Sequence, residues 1–339
     1  MTFREKGEKW SQESEARSRK SGDDKNHGGE PFNKKIFNNG NRATTFMQNN
    51  FFRNGLPVIG VDIGGTKISA GWVEDHKLVK SHTLPTPVGK GEKEVLHTLA
   101  KAIAGLGLKE FSGIGIGIPG LVDTDKGMVY DLQNLPDLAG TALKDEVESI
   151  FSCPVEINND ANCFVLGVKS REEGRPFNHI VGLTLGTGLG GGLILNGELY
   201  EGIGTGAGEI GFMPYKESIL EHYCSGQFFY RQYGLSGKEA KTRAVNGDKK
   251  AREMYAAFGR HLGEAIKMVA HIFAPEAVVL GGSISSSFWL FEKSMWESIR
   301  SFPYAHVVDR IQVMPATSPG LAMVGAASLI SRKLNPKYQ

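Results

Sequence analysis

The sequence predicts an α/β protein of two lobes around a central cleft. Three observations carry this reading. From Leu56 onward, short apolar runs alternate with segments of helical periodicity, the pattern of sheets flanked by helices. Each half opens with three short strands in meander order, Val58 to Leu84 and Ile180 to Tyr200, an internal echo. Each half also carries a glycine-rich turn after its first strand: Asp62-Ile-Gly-Gly-Thr-Lys67 and Leu185-Gly-Thr-Gly-Leu-Gly-Gly-Gly192.

In chain order, residues 1–56 are rich in Lys, Arg, Glu, Asn, Ser and Gly and show no sustained apolar period. Such a segment cannot bury enough surface to offset its ordering entropy, so it is expected to be a disordered polar extension. Strands are expected at Val58–Ile63, Ile68–Val73, Leu78–Leu84, Gly113–Ile118, Val155–Ile157, Ile180–Leu185, Leu193–Leu195 and Ala277–Leu280. Helical periodicity marks Glu92–Leu106, Leu143–Phe151, Ala161–Val168, Ala251–Phe273, Phe288–Ser301 and Leu321–Leu334. The smaller lobe is assigned to residues 57–165 together with 320–335, the larger to 166–319.

Composition narrows the class of function. With 40% hydrophobic and 22% charged residues over 339, the chain reads as soluble and globular. A net charge of +2, with no basic run interleaved with aromatics, gives no basis for a nucleic-acid partner. No apolar stretch approaches the roughly 18 residues needed to span a bilayer, and the N-terminus lacks the apolar core of a secretion signal. The three cysteines, Cys153, Cys163 and Cys224, lack metal-ligand spacing and read as free thiols of a reducing cytoplasm.

Both glycine turns suit phosphate. A tip without side chains exposes backbone N–H groups and lets an anion come close. In the first, Gly64 and Gly65 allow the approach, while Thr66 and Lys67 add a hydroxyl and a charge. Asp62, at the end of its strand, is a candidate for Mg²⁺ held through water, since this ion keeps part of its hydration shell. In the second, Gly186, Thr187 and Gly188 offer a hydroxyl and N–H donors. The following Gly190, Gly191 and Gly192 imply that something approaches closely, because an interior strand glycine costs about 0.5–1 kcal/mol. Gly281 and Gly282 end the strand Ala277–Leu280 in a small-residue turn, which suits either a nucleotide base and ribose or simple packing.

The acid–base candidate is Asp160, where the strand Val155–Ile157 gives way through Asn158-Asn159 to a helix. It is either a capping aspartate or, at the carboxyl end of a strand where α/β crevices form, a general base. Asn159 and Asn162 bring donors and acceptors suited to a polyhydroxyl ligand. Gly120, Asn134, Glu209 and Glu221 lie in turns and loops that can converge on the same ligand. Phe228-Phe229-Tyr230 serves either an oligomer interface or the core.

Together these motifs resemble the ROK family of sugar kinases and related repressors. The resemblance runs from about Val58 to Leu329, and its most specific pieces are Asp62-Ile-Gly-Gly-Thr-Lys67, Gly117-Ile-Pro-Gly120, Asn159-Asp160-Ala-Asn162, the second glycine turn and Gly208-Glu-Ile-Gly211. It implies the actin-like ATPase (ribonuclease H-like) fold and an enzyme that uses ATP and Mg²⁺. Asp160 would take the proton from the attacking sugar hydroxyl, residues Asn134, Asn159, Glu209 and Glu221 would hold the other hydroxyls, and the glycine turns would hold the phosphates. It also implies a homo-oligomer, a dimer in the first instance. One departure stands out. Most members carry a histidine after Gly-Glu-Ile-Gly and then a cysteine cluster, which bind a structural zinc; here the position is Phe212 and the loop Met213–Ile219 has no cysteine. No zinc is therefore expected, and Phe212 bears on which sugar is used. The expectation is a glucose 6-kinase, with fructose, mannose or an N-acetylhexosamine as alternatives and an inactive sugar sensor as the competing class. The repressor branch is disfavoured because residues 1–56 lack a helix-turn-helix pattern.

Overall fold

Two five-stranded sheets, each built the same way, organise the chain. The computed structural model describes residues 56–132 and 135–334; the expected N-terminal extension and Asn134 lie outside these residues. In the first half, β1 (Val58–Ile63), β2 (Lys67–Glu74) and β3 (Lys77–Pro85) form the expected antiparallel meander. Helix α1 (Glu92–Ala104) follows, and then β4 (Ile114–Ile118), which lies parallel to β1. A small hairpin, β5 (Leu121–Asp123) and β6 (Met128–Asp131), leads to α2 (Leu143–Phe151). Strand β7 (Val155–Asn159), parallel to β4, runs directly into α3 (Asp160–Ser170). The sheet order is β3-β2-β1-β4-β7.

The second half repeats the plan. It has β8 (Ile180–Leu185), β9 (Leu189–Leu195) and β10 (Glu198–Leu199), then a hairpin of β11 (Pro214–Tyr215) and β12 (Ser218–Ile219). Helices α4 (Gly226–Tyr233), α5 (Gly237–Val245) and α6 (Lys249–Phe273) precede β13 (Ala277–Gly281). After α7 (Phe288–Ile299) comes β14 (Gln312–Pro315), and α8 (Leu321–Leu334) ends the described chain. The sheet order, β10-β9-β8-β13-β14, matches the first strand for strand. The parallel strands β4 and β13 are buried along their whole length, as expected where helices cover both faces of a sheet. Among the described residues no helix is long and apolar enough to cross a membrane.

Each sheet has its own core. Val61, Ile116, Val95 and Leu99 lie in the first; Leu183, Leu280, Phe258 and Phe291 lie in the second. Phe228 and Phe229 belong to that second core, whereas Tyr230 is 72% exposed. Helix α3 lies on the second sheet, where Phe164 and Val165 pack with Ile180, Ile194 and Val279. Helix α8 lies on the first sheet so closely that a Cβ on Gly60 or Gly115 would meet the Met323 or Ala326 carbonyl oxygen at 1.8 and 1.7 Å. The two helices touch through backbone as well. A Cβ on Gly325 would lie 1.7 Å from the Cys163 carbonyl oxygen, and one on Gly167 would lie 2.0 Å from that of Leu321.

Two sequence expectations change. Strand β9 begins at Leu189, not Leu193, so Gly190, Gly191 and Gly192 stand inside a strand and not at the tip of a turn. What comes close to them is the chain itself: a Cβ on Gly192 would meet the Ala161 oxygen of α3 at 2.4 Å, and one on Gly191 the Gly208 oxygen at 2.5 Å. Helices α4 and α5 are not among the expected elements; their N-termini are set locally, by Ser225 accepting from Gln227 N–H and Ser236 from Glu239 N–H.

Gly325→Ala is expected to cost about 1–3 kcal/mol in urea unfolding, because a rigid backbone meets the new methyl. Gly237→Ala, whose Cβ would find only the Phe229 ring at 3.7 Å, should stay within about 0.5 kcal/mol of the parent.

Candidate active site

Asp160 is the first residue of α3. The cap of that helix is Asn159, whose Oδ1 accepts from the backbone N–H groups of Ala161 at 2.9 Å and Asn162 at 3.3 Å. Asn159 donates from Nδ2 to the Gly120 carbonyl oxygen at 3.0 Å, tying the start of the helix to the loop after β4. Capping is thus met by the neighbour. Asp160 keeps one bond, accepting from Ala161 N–H at 2.8 Å. Gly117, in the strand beside it, is small enough for α3 to approach: a Cβ there would meet Cys163 Sγ at 3.1 Å. Asn162 is fully buried and donates to Asn158 Oδ1, so it supports the turn from inside.

Asp160 is half-buried. Enclosure by the protein, then the charge of Asp62 and more weakly that of Glu209, push its pKa up to about 7. Asp62, at the end of β1, is raised as well, by burial against the partial relief of Lys67. Glu209 is raised by burial and by Glu221. Asp62 on β1, Asp160 on α3, Glu209 in a loop and Glu221 at the start of a short helix thus form one chain of neighbouring carboxylates, with Lys67 as the cation that eases Asp62. Carboxyl groups raised by burial and by one another make this cluster a candidate functional site.

The two glycine turns flank this cluster through the ends of β1 and β8. The first is held from behind by Thr86, whose Oγ1 donates to Gly64 O at 2.6 Å and whose N–H donates to Thr66 O at 3.1 Å. The second is held by Gly226 N–H, donating to Gly186 O at 2.8 Å, and by Glu221. One Glu221 oxygen accepts from Leu189 N–H at 3.0 Å and the other from Gln227 Nε2 at 2.7 Å. Among the described residues, the N–H groups of Gly65, Thr66 and Thr187 have no protein acceptor, and a Cβ on Gly186 would enter open space. Both turns therefore present free donors, which suits phosphate oxygens.

Gly281 ends β13, beside β8, and Gly282 follows it. Gly281 accommodates the Phe164 ring, whose carbons would lie 2.5 Å from a Cβ, and Gly282 passes the Leu185 carbonyl oxygen with φ at 80°. Packing thus accounts for both glycines, whatever else the turn holds. Thr86, Gly226 and Gln227 were missed from sequence. Thr86 reaches the first turn only through the β2–β3 pairing that sets Pro85 opposite Lys67.

The residues after Glu209 do not fit a zinc site. Phe212 is 52% exposed, Met213–Ile219 forms the β11–β12 hairpin, and Cys224 is buried with its thiol pushed up by that burial. His222 has both nitrogens engaged, Nδ1 with the Ser218 hydroxyl and Nε2 with Arg231. The hairpin is instead held by aromatic packing: Tyr215 Oη bonds His261 Nδ1 at 3.0 Å, and Tyr223 lies edge-on to Tyr215 with centroids 5.2 Å apart. Burial, with Lys216 and Arg260 nearby, lowers His261 to about 4, so this contact is made by a neutral ring at pH 7.

A duplicated sheet with a phosphate-type turn in each half and an acid cluster between them defines the actin-like ATPase architecture. The ROK family model matches residues 58–333, and the chain belongs to the ROK family. It is 33% identical to a glucokinase of Thermotoga maritima over 314 residues, 82% of this chain and 98% of that one. It is 33% identical to an N-acetyl-D-glucosamine kinase of Vibrio atlanticus, over 69% of this chain and 86% of the relative. A crystal structure of a ROK family glucokinase from Streptomyces griseus with glucose and AMPPNP superposes with a TM-score of 0.72 at 28% identity, covering 80% and 98% of the two chains.

The raised Asp160 carboxyl has a consequence for stability. Because the fold holds its proton more tightly than the unfolded chain does, the stability it contributes is full below about pH 4 and is lost as pH rises through about 7. Asp160→Asn should therefore melt higher than the parent at pH 8, by about 2–4 °C. The difference should shrink as pH falls, and the two should converge in thermal melts only below about pH 4.

Proposed function

We propose that this chain is an ATP-dependent hexose kinase in which Asp160 is the general base. The observation that carries the reading is an uncapped carboxylate, held to about 7, at the point where β7 meets α3 between two phosphate-type turns. A base whose pKa lies near the working pH takes up a proton most effectively in the transition state.

In the proposed reaction Asp160 accepts the proton of a sugar hydroxyl as that oxygen forms its bond to the γ-phosphorus of ATP. The bond from the γ-phosphorus to the β–γ bridging oxygen breaks, and ADP leaves. Gly64, Gly65, Thr66 and Lys67 on one side, and Gly186, Thr187 and Gly188 on the other, hold the phosphates; Gly281 and Gly282 border the nucleoside. Asn134, Asn159, Glu209, Glu221 and the Gly120 backbone hold the remaining hydroxyls. Asn159 and Glu221 serve with lone pairs or N–H groups left over from the bonds described above. Asp62 fits a magnesium ion held through water, since a cation would relieve the charge it shares with Asp160; the ion supplies neutralisation of phosphate charge. Positioning and charge neutralisation supply most of the rate in such transfers.

Glucose, phosphorylated at its 6-hydroxyl, is the first assignment, with fructose and mannose as further candidates. An N-acetylhexosamine is the second reading, favoured by one observation: Phe212 puts an exposed apolar ring where the resemblance calls for a histidine that touches sugar. Sugar kinases of this type work in the cytoplasm and commonly as dimers, and we assign both here.

ADP release should be measured with MgATP against a panel of hexoses and N-acetylhexosamines. Turnover on one sugar is expected. Asp160→Asn should lower kcat by about 10²–10⁴-fold while calorimetry still detects the sugar. Turnover retained in that variant would remove Asp160 as the base. Binding of a sugar without turnover in the parent would favour a sensor.

A further inference from the structure

Thr205 is a β-branched residue at φ 57°, a backbone region that such side chains avoid because Cβ crowds the neighbouring carbonyl. It is also 3% exposed. Strain of this kind persists only where surrounding contacts enforce it, and it concentrates at functional sites. The enforcing contact joins segments 83 residues apart in the chain. Thr205 Oγ1 accepts from the backbone N–H of Val122 at 3.0 Å. Val122 lies on β5 with its side chain fully buried in the core of the first sheet, whereas Ile210, just past Thr205, packs in the core of the second.

Both ends of this bond lead to the site. On one side, Val122 follows Gly120, whose carbonyl oxygen accepts from Asn159 Nδ2. On the other, Thr205 precedes Glu209 by four residues, and Gly208 between them is locked over β9, where a Cβ would strike the Gly191 oxygen at 2.3 Å. The segment around Thr205 turns through glycines at positive φ, Gly202 at 66°, Gly204 at 58° and Gly208 at 92°, and Gly202 and Gly208 lie close against Ala207 and the Gly191 backbone. It has little freedom to slide. A displacement of Val122 relative to Thr205 therefore carries the Gly120 loop away from Glu209.

We propose that Thr205 is a positioning residue for the sugar: its hydroxyl ties the strand after Gly120 to the loop that carries Glu209 and so fixes the spacing of two walls that must enclose one hexose. This rests on the sugar-kinase reading above. The spacing is held by the hydrogen bond against the local backbone preference of a β-branched residue.

Three variants separate the parts. Thr205→Val keeps the β-branched strain and deletes the acceptor, leaving the Val122 N–H unpaired. It should raise the hexose KM about tenfold, the cost of a buried donor without its partner, and leave the MgATP KM within about twofold. Thr205→Ser keeps the acceptor and should restore the hexose KM to near the parent value. Thr205→Gly relieves the backbone but lacks the acceptor, so it should melt above the Val variant while binding hexose as weakly. Should the Val variant not fold, hydrogen exchange on the parent reads the same contact: hexose should slow exchange in the peptide that contains Val122. The proposal is overturned if the Val variant loses thermal stability with an unchanged hexose KM, if both KM values rise together, or if hexose leaves the Val122 peptide unprotected. Failure of the parent to bind any hexose would instead overturn the sugar-kinase reading, and this proposal with it.

Discussion

Two helix backbones in direct contact fix the geometry on which the site depends. Gly325 of α8 and Gly167 of α3 let the helices cross with no side chain between them, and Gly60 and Gly115 let α8 settle against the first sheet. Helix α3, pressed on the other side against Gly182 and Gly192 of the second sheet, is thereby located relative to both. Its first residue is Asp160. The position of the proposed base is set chiefly by this close helix packing, where a single methyl has no room to be absorbed.

That placement gives the site its electrostatic character. The same crossing that brings α3 to the end of β7 sets Asp160 within the field of Asp62, at the end of β1. Both carboxyls are raised by enclosure, and their mutual repulsion raises Asp160 further. The fold thus stores an unfavourable charge pair, the stability–function exchange expected where the proposed activity needs a group out of its ordinary range. Around the pair the support comes mostly from side chains bonded to backbone: Asn159 caps the helix in place of Asp160, Thr86 braces one glycine turn, and Glu221, with the Gly226 N–H, braces the other.

Much of this was legible in the sequence, for identifiable reasons. Strands such as Val58–Ile63 and Ile180–Leu185 are continuous apolar runs bounded by glycine, and helix Leu143–Phe151 has an apolar stripe of the right period; all three have the expected bounds. The echo of two meanders predicted the duplicated sheet. Gly190–Gly192 were misplaced because a glycine row looks alike in a turn and in a strand that receives a helix; only the position of Ala161 separates them. The ambiguity of Asp160, cap or base, turned on a one-residue shift in where α3 starts, which periodicity does not resolve. Thr86 and His261 act through pairings far apart in the chain, and a polar side chain between apolar runs carries no signal of its distant partner.

Direct titration of the Asp160 carboxyl by carbon-13 NMR, in the parent and in Asp62→Asn, is the measurement that bears most directly on this arrangement. A midpoint of about 7 in the parent, falling toward the ordinary carboxylate range when Asp62 loses its charge, is the predicted result. A midpoint near 4 in the parent, or one unmoved by Asp62→Asn, would contradict the claim that the helix crossing sets two carboxylates against each other to make a base.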